Sequence, residues 1–189
     1  MNRSALIGEL AGITRKARDT AANVLLPLDI NSLNFKPGPK SWSAAGCLFH
    51  LIYYARYYHP AIKGALEKAG KDTGREGETF RPGWLGDFFA RTMKAPGGIP
   101  KRKLPTVPAS APKADAYTHD IVRQFIDLQD EMLVLLKQAA MVNLSASSTG
   151  TTATELIRIK LGDAFRVVVY HNERHLHQAL RAVEAAGTG

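Results

Sequence analysis

Apolar residues recur along this chain at intervals of three and four and nowhere in sustained alternation, so the pattern predicts helices and no strands. A first helix is expected over Arg3–Leu26. Leu6, Leu10, Ile13, Ala17, Ala21 and Val24 share one face there, and Pro27 stops the run. A second is expected over Ser43–Lys68, with Ser41 or Ser43 as its N-cap and Gly70 just past its end. It is apolar on nearly every side: Leu48, Phe49, Leu51, Ile52, Tyr53, Tyr54, Tyr57 and Tyr58. That suits a central helix of a bundle, or one that also meets a second copy of the chain. A third helix is expected over Ala114–Ala140, striped by Ile121, Phe125, Leu128, Met132, Leu135 and Ala139. A fourth is expected over Ala153–Ala186, opened by a Thr152–Glu155 capping box. Its inward row reads Ile157, Leu161, Ala164, Val168, His171, His175, Gln178, Ala182.

Four amphipathic helices in 189 residues predict an all-α bundle, one domain spanning 1–189. The link over residues 27–42 is too long for a tight helical hairpin. The link over 71–113 is longer than a compact domain leaves unstructured. Its first half, Phe80–Met93, carries enough aromatic residues to pack as a short helix or lid. Its second half, Lys94–Lys113, holds five prolines and Gly97–Gly98 and is expected to be extended and mobile.

Composition narrows the classes. With 45% hydrophobic and 22% charged residues the chain can build a core. No apolar run reaches the roughly 18 residues of a membrane span. The charged N-terminal stretch does not read as a secretory leader, so the cytoplasm is the expected compartment. Cys47 is the only cysteine, which excludes an intrachain disulfide and a cysteine-based zinc site. The net charge of +8 favours an acidic partner, but residues 71–113 alone hold nine Lys/Arg against four Asp/Glu. A basic connector is not the basic helix face that reads DNA, so nucleic acid is not the expected partner. If the lid folds over the bundle, Arg81 and Arg91 would meet an anionic small molecule.

The candidate chemistry lies in the histidines. His171 and His175, in YHNERHLHQ, stand four residues apart and share one helix face. They also continue the inward apolar row of the fourth helix. A buried imidazole needs a partner, because an unpaired buried polar group costs roughly 1–3 kcal/mol, and two neutral rings sharing a cation meet that need. A third ligand from Asp, Glu or His is required. His50, midway along the other strongly buried helix, is the best candidate. His59 is offset by about half a turn from His50, His119 is expected at the surface, and His177 is expected to face solvent.

Two segments carry a family resemblance. Lys40-Ser-Trp-Ser-Ala-Ala-Gly-Cys-Leu-Phe-His50-Leu and His171-Asn-Glu-Arg-His175-Leu-His-Gln178 resemble, in that order, the second-helix start and the fourth-helix signature of the DinB-like superfamily of metal-binding four-helix bundles. The resemblance implies His50, His171 and His175 as ligands of one divalent metal ion, zinc or nickel first, iron or manganese next. It implies an up-down-down-up bundle with a crossover between the second and third helices. It also implies a metal-dependent hydrolase, or a transferase using a low-molecular-weight thiol, acting on a small molecule such as an anionic thiol. A homodimer is expected. The alternative is a non-catalytic, stress-related bundle that binds metal or another ligand.

Three nitrogen ligands leave a coordination position open, the mark of a catalytic site. A water or thiol placed there is acidified. Tyr54, Gln178 and Cys47 are candidate pocket residues, whereas Glu173 and Arg174 are expected to project away from the histidine face.

Overall fold

The computed structural model describes residues 1–69, 79–95, 106–113, 116–152 and 154–187, with the backbone alone at 154 and 155. Gly70, Ala114 and Ala153, which bound three of the expected helices, lie outside the described residues. So do 71–78 and 96–105 of the connector.

Helix α1 spans Arg3–Thr20 and continues as a π-helical turn over Ala21–Leu25, in close agreement with the expected Arg3–Leu26. The Asn2 side chain caps it by accepting from the Ala5 N–H. The wider π turn shifts the inward row by one residue. Leu25 is therefore fully buried, and Val24, expected inside, faces out. The 27–42 link contains the short helix α2, Ile30–Asn34, capped by Asp29.

Helix α3 spans Ala44–Ala69. Ser43 is its cap: its hydroxyl accepts from the Gly46 N–H at 3.0 Å. Helix α4 spans Trp84–Met93 and realises the expected short helix in the connector. A 3-10 turn follows over Pro108–Ser110. Helix α5 spans Asp120–Ala139, starting later than expected, with residues 116–118 outside any regular element. Its buried row includes Gln129, where Leu128 was expected and is only half-buried.

The largest departure lies ahead of the last helix. Residues 148–160 form an antiparallel hairpin, β1 (Ser148–Thr151) with β2 (Thr154–Lys160), and α6 begins only at Leu161 and ends at Ala186. The Thr152–Glu155 pair does not cap a helix. The hairpin is rich in Thr and Ile, whose branched Cβ atoms fit a pleated strand better than a helix. Ile159 turns inward and is 3% exposed, whereas Leu156 is 91% exposed.

Helix α3 packs against α5 and α6, and α1 packs against the same two helices. Side-chain pairs define these seams: Arg18 with Asp130, Arg56 with Gln124, His59 with Glu131, Tyr170 with Glu9. Helix α4 lies on α6 through close backbone approach. A Cβ on Gly86 would stand 2.5 Å from Asp163, and one on Gly162 would stand 2.5 Å from the Phe80 ring. No helix among the described residues is long and apolar enough to cross a membrane.

Candidate metal centre

Helices α3 and α6 bring three imidazoles together from positions far apart in sequence. His50, His171 and His175 are buried at 4%, 7% and 9% exposure. Each offers one ring nitrogen to a cluster whose atoms all lie within 4.8 Å of one another. The ring centroids are 4.6–5.0 Å apart. The i, i+4 spacing on α6 stacks two of these rings one turn apart, and the α3–α6 seam supplies the third.

Hydrogen bonds on the outer ring atoms set which nitrogens face inward. His50 Nδ1 donates to the Ser110 carbonyl at 3.0 Å, and His175 Nδ1 donates to Gln178 Oε1 at 3.0 Å. Each donation leaves Nε2 with a lone pair directed at the cluster, the arrangement in which an outer partner fixes a ligand's tautomer. His50 Nε2 and His171 Nε2 stand 3.2 Å apart. Two nitrogens each roughly 2.0–2.1 Å from one ion would be about 2.9–3.4 Å apart for angles of 90–109°. That pair has the spacing of two ligands on one ion, and the third ring offers a nitrogen within 4.8 Å of both.

The electrostatics favour neutral rings. Burial lowers the pKa of all three, with the neighbouring imidazoles and Arg174 adding to the effect on His171 and His175. His171 falls well below the usual histidine range, and His175 falls to about 3. Neutral imidazole is the ligating form.

The surroundings correct several expectations. Trp42, which sequence reasoning assigned no role, packs against the cluster, its ring centroid 4.9 Å from His50 and 5.8 Å from His175. Tyr54 lies beside the cluster as expected, 4.9 Å from His50 and 4.8 Å from His171 between centroids. Gln178 orients His175. Cys47 packs among Ala44, Ala45, Leu48 and Ala179 and is not among the cavity-lining residues; burial raises its thiol to about 12, so it stays protonated. Arg174 does not project away into solvent. It is half-buried, donates to the Thr92 carbonyl at the end of α4 and has no carboxylate partner among the described residues. Arg91 is held by Asp87 at 2.7 Å, so it is not at the site. The Arg81 backbone is tied to Ser145 and Lys160.

The other histidines serve elsewhere. His59 is buried, its Nδ1 2.7 Å from Glu131. His119 is half-buried, with Nε2 donating to the Leu28 carbonyl, and His177 is half-buried in a shallow groove between α1 and α6. Both keep part of their surface exposed.

A cavity of about 140 Å³ adjoins His171. Tyr54 and Tyr58 of α3, Val167 and Val168 of α6, Phe89 and Met93 of α4, and Thr151, Thr152 and Ile159 of the hairpin complete its wall. No carboxylate is among those lining residues.

A helical fold whose central helices carry three converging imidazoles is the class of protein these observations define. The family model of the DinB superfamily matches residues 13–179, and the chain belongs to that superfamily. No curated protein and no solved structure gives a significant match.

Proposed function

We propose that this chain is a metal-dependent enzyme that holds one divalent ion, zinc or nickel, through His50, His171 and His175. The observation that carries the reading is the convergence of three buried, neutral imidazoles, two of which, His50 and His175, already have their outer nitrogens hydrogen-bonded. Such an ion supplies Lewis acidity, able to acidify a water or a thiol. The chain's own groups do the rest. Gln178 and the Ser110 carbonyl orient two ligands, Trp42 covers one side of the rings, and the cavity beside His171 receives the substrate.

Charge balance points to an anionic group at the remaining position. Three neutral ligands leave the ion's charge uncompensated, Arg174 adds another positive charge, and the cavity wall offers no carboxylate among the described residues. A thiolate suits this better than hydrolysis does. It needs no separate base, and among the described residues no carboxylate lines the cavity to act as one. Thiol transfer is therefore the first activity to test and ester or amide hydrolysis the second. Arg174 takes the part that the sequence assigned to Arg81 and Arg91.

The reading includes one domain and an up-down-down-up order of α1, α3, α5 and α6. Pairings support that order. Arg3 and Arg18 of α1 meet Val142 and Asp130, and Arg56 and His59 of α3 meet Gln124 and Glu131. It also includes a homodimer, which sedimentation tests. The decisive assay screens zinc- and nickel-loaded protein with small thiols plus an electrophile, and with esters. Turnover that disappears in His171→Ala and on chelation is expected. No turnover with either class contradicts the enzymatic reading.

A further inference from the structure

The cavity beside His171 constrains the part of the substrate that does not touch the metal. Its volume of about 140 Å³ is close to the roughly 150 Å³ of an apolar cavity that accommodates benzene. Its wall is mostly hydrocarbon: Phe89, Met93, Ile159, Val167 and Val168, with two tyrosine rings.

The polar groups of that wall are largely engaged. Tyr58 hydrogen-bonds Thr152, and the neighbouring Tyr57 hydroxyl donates to the Thr151 carbonyl at 2.8 Å, tying the hairpin to α3. The Tyr54 hydroxyl has no hydrogen-bond partner among the described residues.

Of the nearby cations, Arg174 donates to the Thr92 carbonyl and is not among the lining residues, and the others are paired with carboxylates. Arg91 pairs with Asp87, Lys94 pairs with Glu9 2.9 Å away, and Arg166 sits between Asp87 and Asp163. Desolvating a charge in such a pocket without a partner is unfavourable, whereas covering an uncharged ring gains about 25 cal/mol per Å² of apolar surface.

We propose that this cavity is a specificity pocket for one compact, uncharged apolar group, a single aromatic ring or a branched alkyl of about six carbons, with Tyr54 donating a hydrogen bond to the polar atom that joins it to the reacting centre. The proposal rests on the functional reading for its link to the metal, but the pocket itself does not depend on the metal. Met93 and Phe89 of α4 set its depth. Methionine is the more adaptable of the two, so trimming Met93 lengthens the pocket with the least disturbance to its neighbours.

The test titrates the full chain, metal-free and zinc-loaded, with phenol and with 2-naphthol, followed by ligand-observed NMR and calorimetry. Phenol is expected to bind both forms and to bind at least about 10-fold more tightly than 2-naphthol. Met93→Ala should cut that preference to 3-fold or less by admitting the second ring. Val168→Phe should weaken phenol at least 10-fold while zinc uptake is unchanged. If Val168→Phe fails to fold, Met93→Ala alone decides. Phenol binding in a protein that takes up no zinc leaves the pocket standing and removes the metal reading. Zinc uptake with no phenol binding at millimolar concentration, or an unchanged phenol-to-naphthol preference in Met93→Ala, overturns the pocket proposal.

Discussion

Helix α6 buries polar groups at two levels, and the two are built differently. Near its start, Asp163 and Arg166 are almost fully buried, but their charges are answered by the protein itself. Arg166 bonds Asp163 at 2.9 Å and Asp87 at 2.8 Å, and Asp163 also accepts from the Gly83 N–H at 2.7 Å. Two turns later His171 and His175 join His50, and there the protein satisfies the outer edges of two rings, those of His50 and His175. The inner nitrogens point at one another. The first cluster is a clamp that fixes α4 to α6, and with it Phe89 and Met93 over the cavity. The second is a set of donors without an acceptor of its own. Burial alone does not separate the two clusters; the first pairs opposite charges from the chain itself, whereas the second gathers only neutral nitrogen donors.

Breaking the clamp gives the largest effect. Arg166→Ala leaves Asp163 buried without its cation, and the expected loss is about 3–5 kcal/mol in urea unfolding. A loss under 1 kcal/mol would mean that Arg166 and the two carboxylates do not hold one another. Acid should act on the other level. The three histidines sit below their usual pKa in the fold, so as the pH falls below about 6.5 the unfolded chain binds protons that the folded chain does not, for His175 down to about pH 3. Metal-free protein is thus expected to keep its full stability above pH 6.5. It should lose about 1.4 kcal/mol per pH unit for each such histidine as the pH falls, a slope measurable by denaturation at stepped pH. Gln178→Ala removes the outer partner of His175 and is expected to weaken zinc binding about 10- to 100-fold with little change in fold, as read by competition with a chelating dye. The smallest effect is expected from His171→Ala on the stability of the metal-free protein, a change below about 2 kcal/mol, since that substitution removes a polar group with no charge to leave behind. A loss as large as that of Arg166→Ala would erase the distinction.

The periodicity of the chain located α1, α3, α5 and α6, and placed His171 and His175 on an inward row, because an amphipathic helix writes its buried face at a fixed spacing. The hairpin at 148–160 was hidden. Ile157 and Leu161 happen to continue the helical row of α6, and the β preference of Thr and Ile is set by pairing with a partner strand, which a local pattern does not display. The Val24–Leu25 shift was illegible for a related reason: a π turn leaves no mark in composition. His50 came from resemblance more than from its own surroundings, since a lone histidine in an apolar helix does not announce what faces it. Ser110 could not have been found, because it acts through a backbone carbonyl that any residue carries. For Arg174 the helical spacing showed only a direction away from the histidine face; that the end of α4 lies there and takes its hydrogen bond is a tertiary contact the local pattern does not display.

The central claim is that three histidines hold one ion, and metal stoichiometry tests it most directly. Wild type and His50→Ala would be loaded with zinc, dialysed together and measured by elemental analysis against protein concentration. One equivalent per chain is expected for wild type, with less than a tenth of that in His50→Ala under the same dialysis. Wild type without retained metal, or His50→Ala retaining a full equivalent, would contradict the three-histidine site.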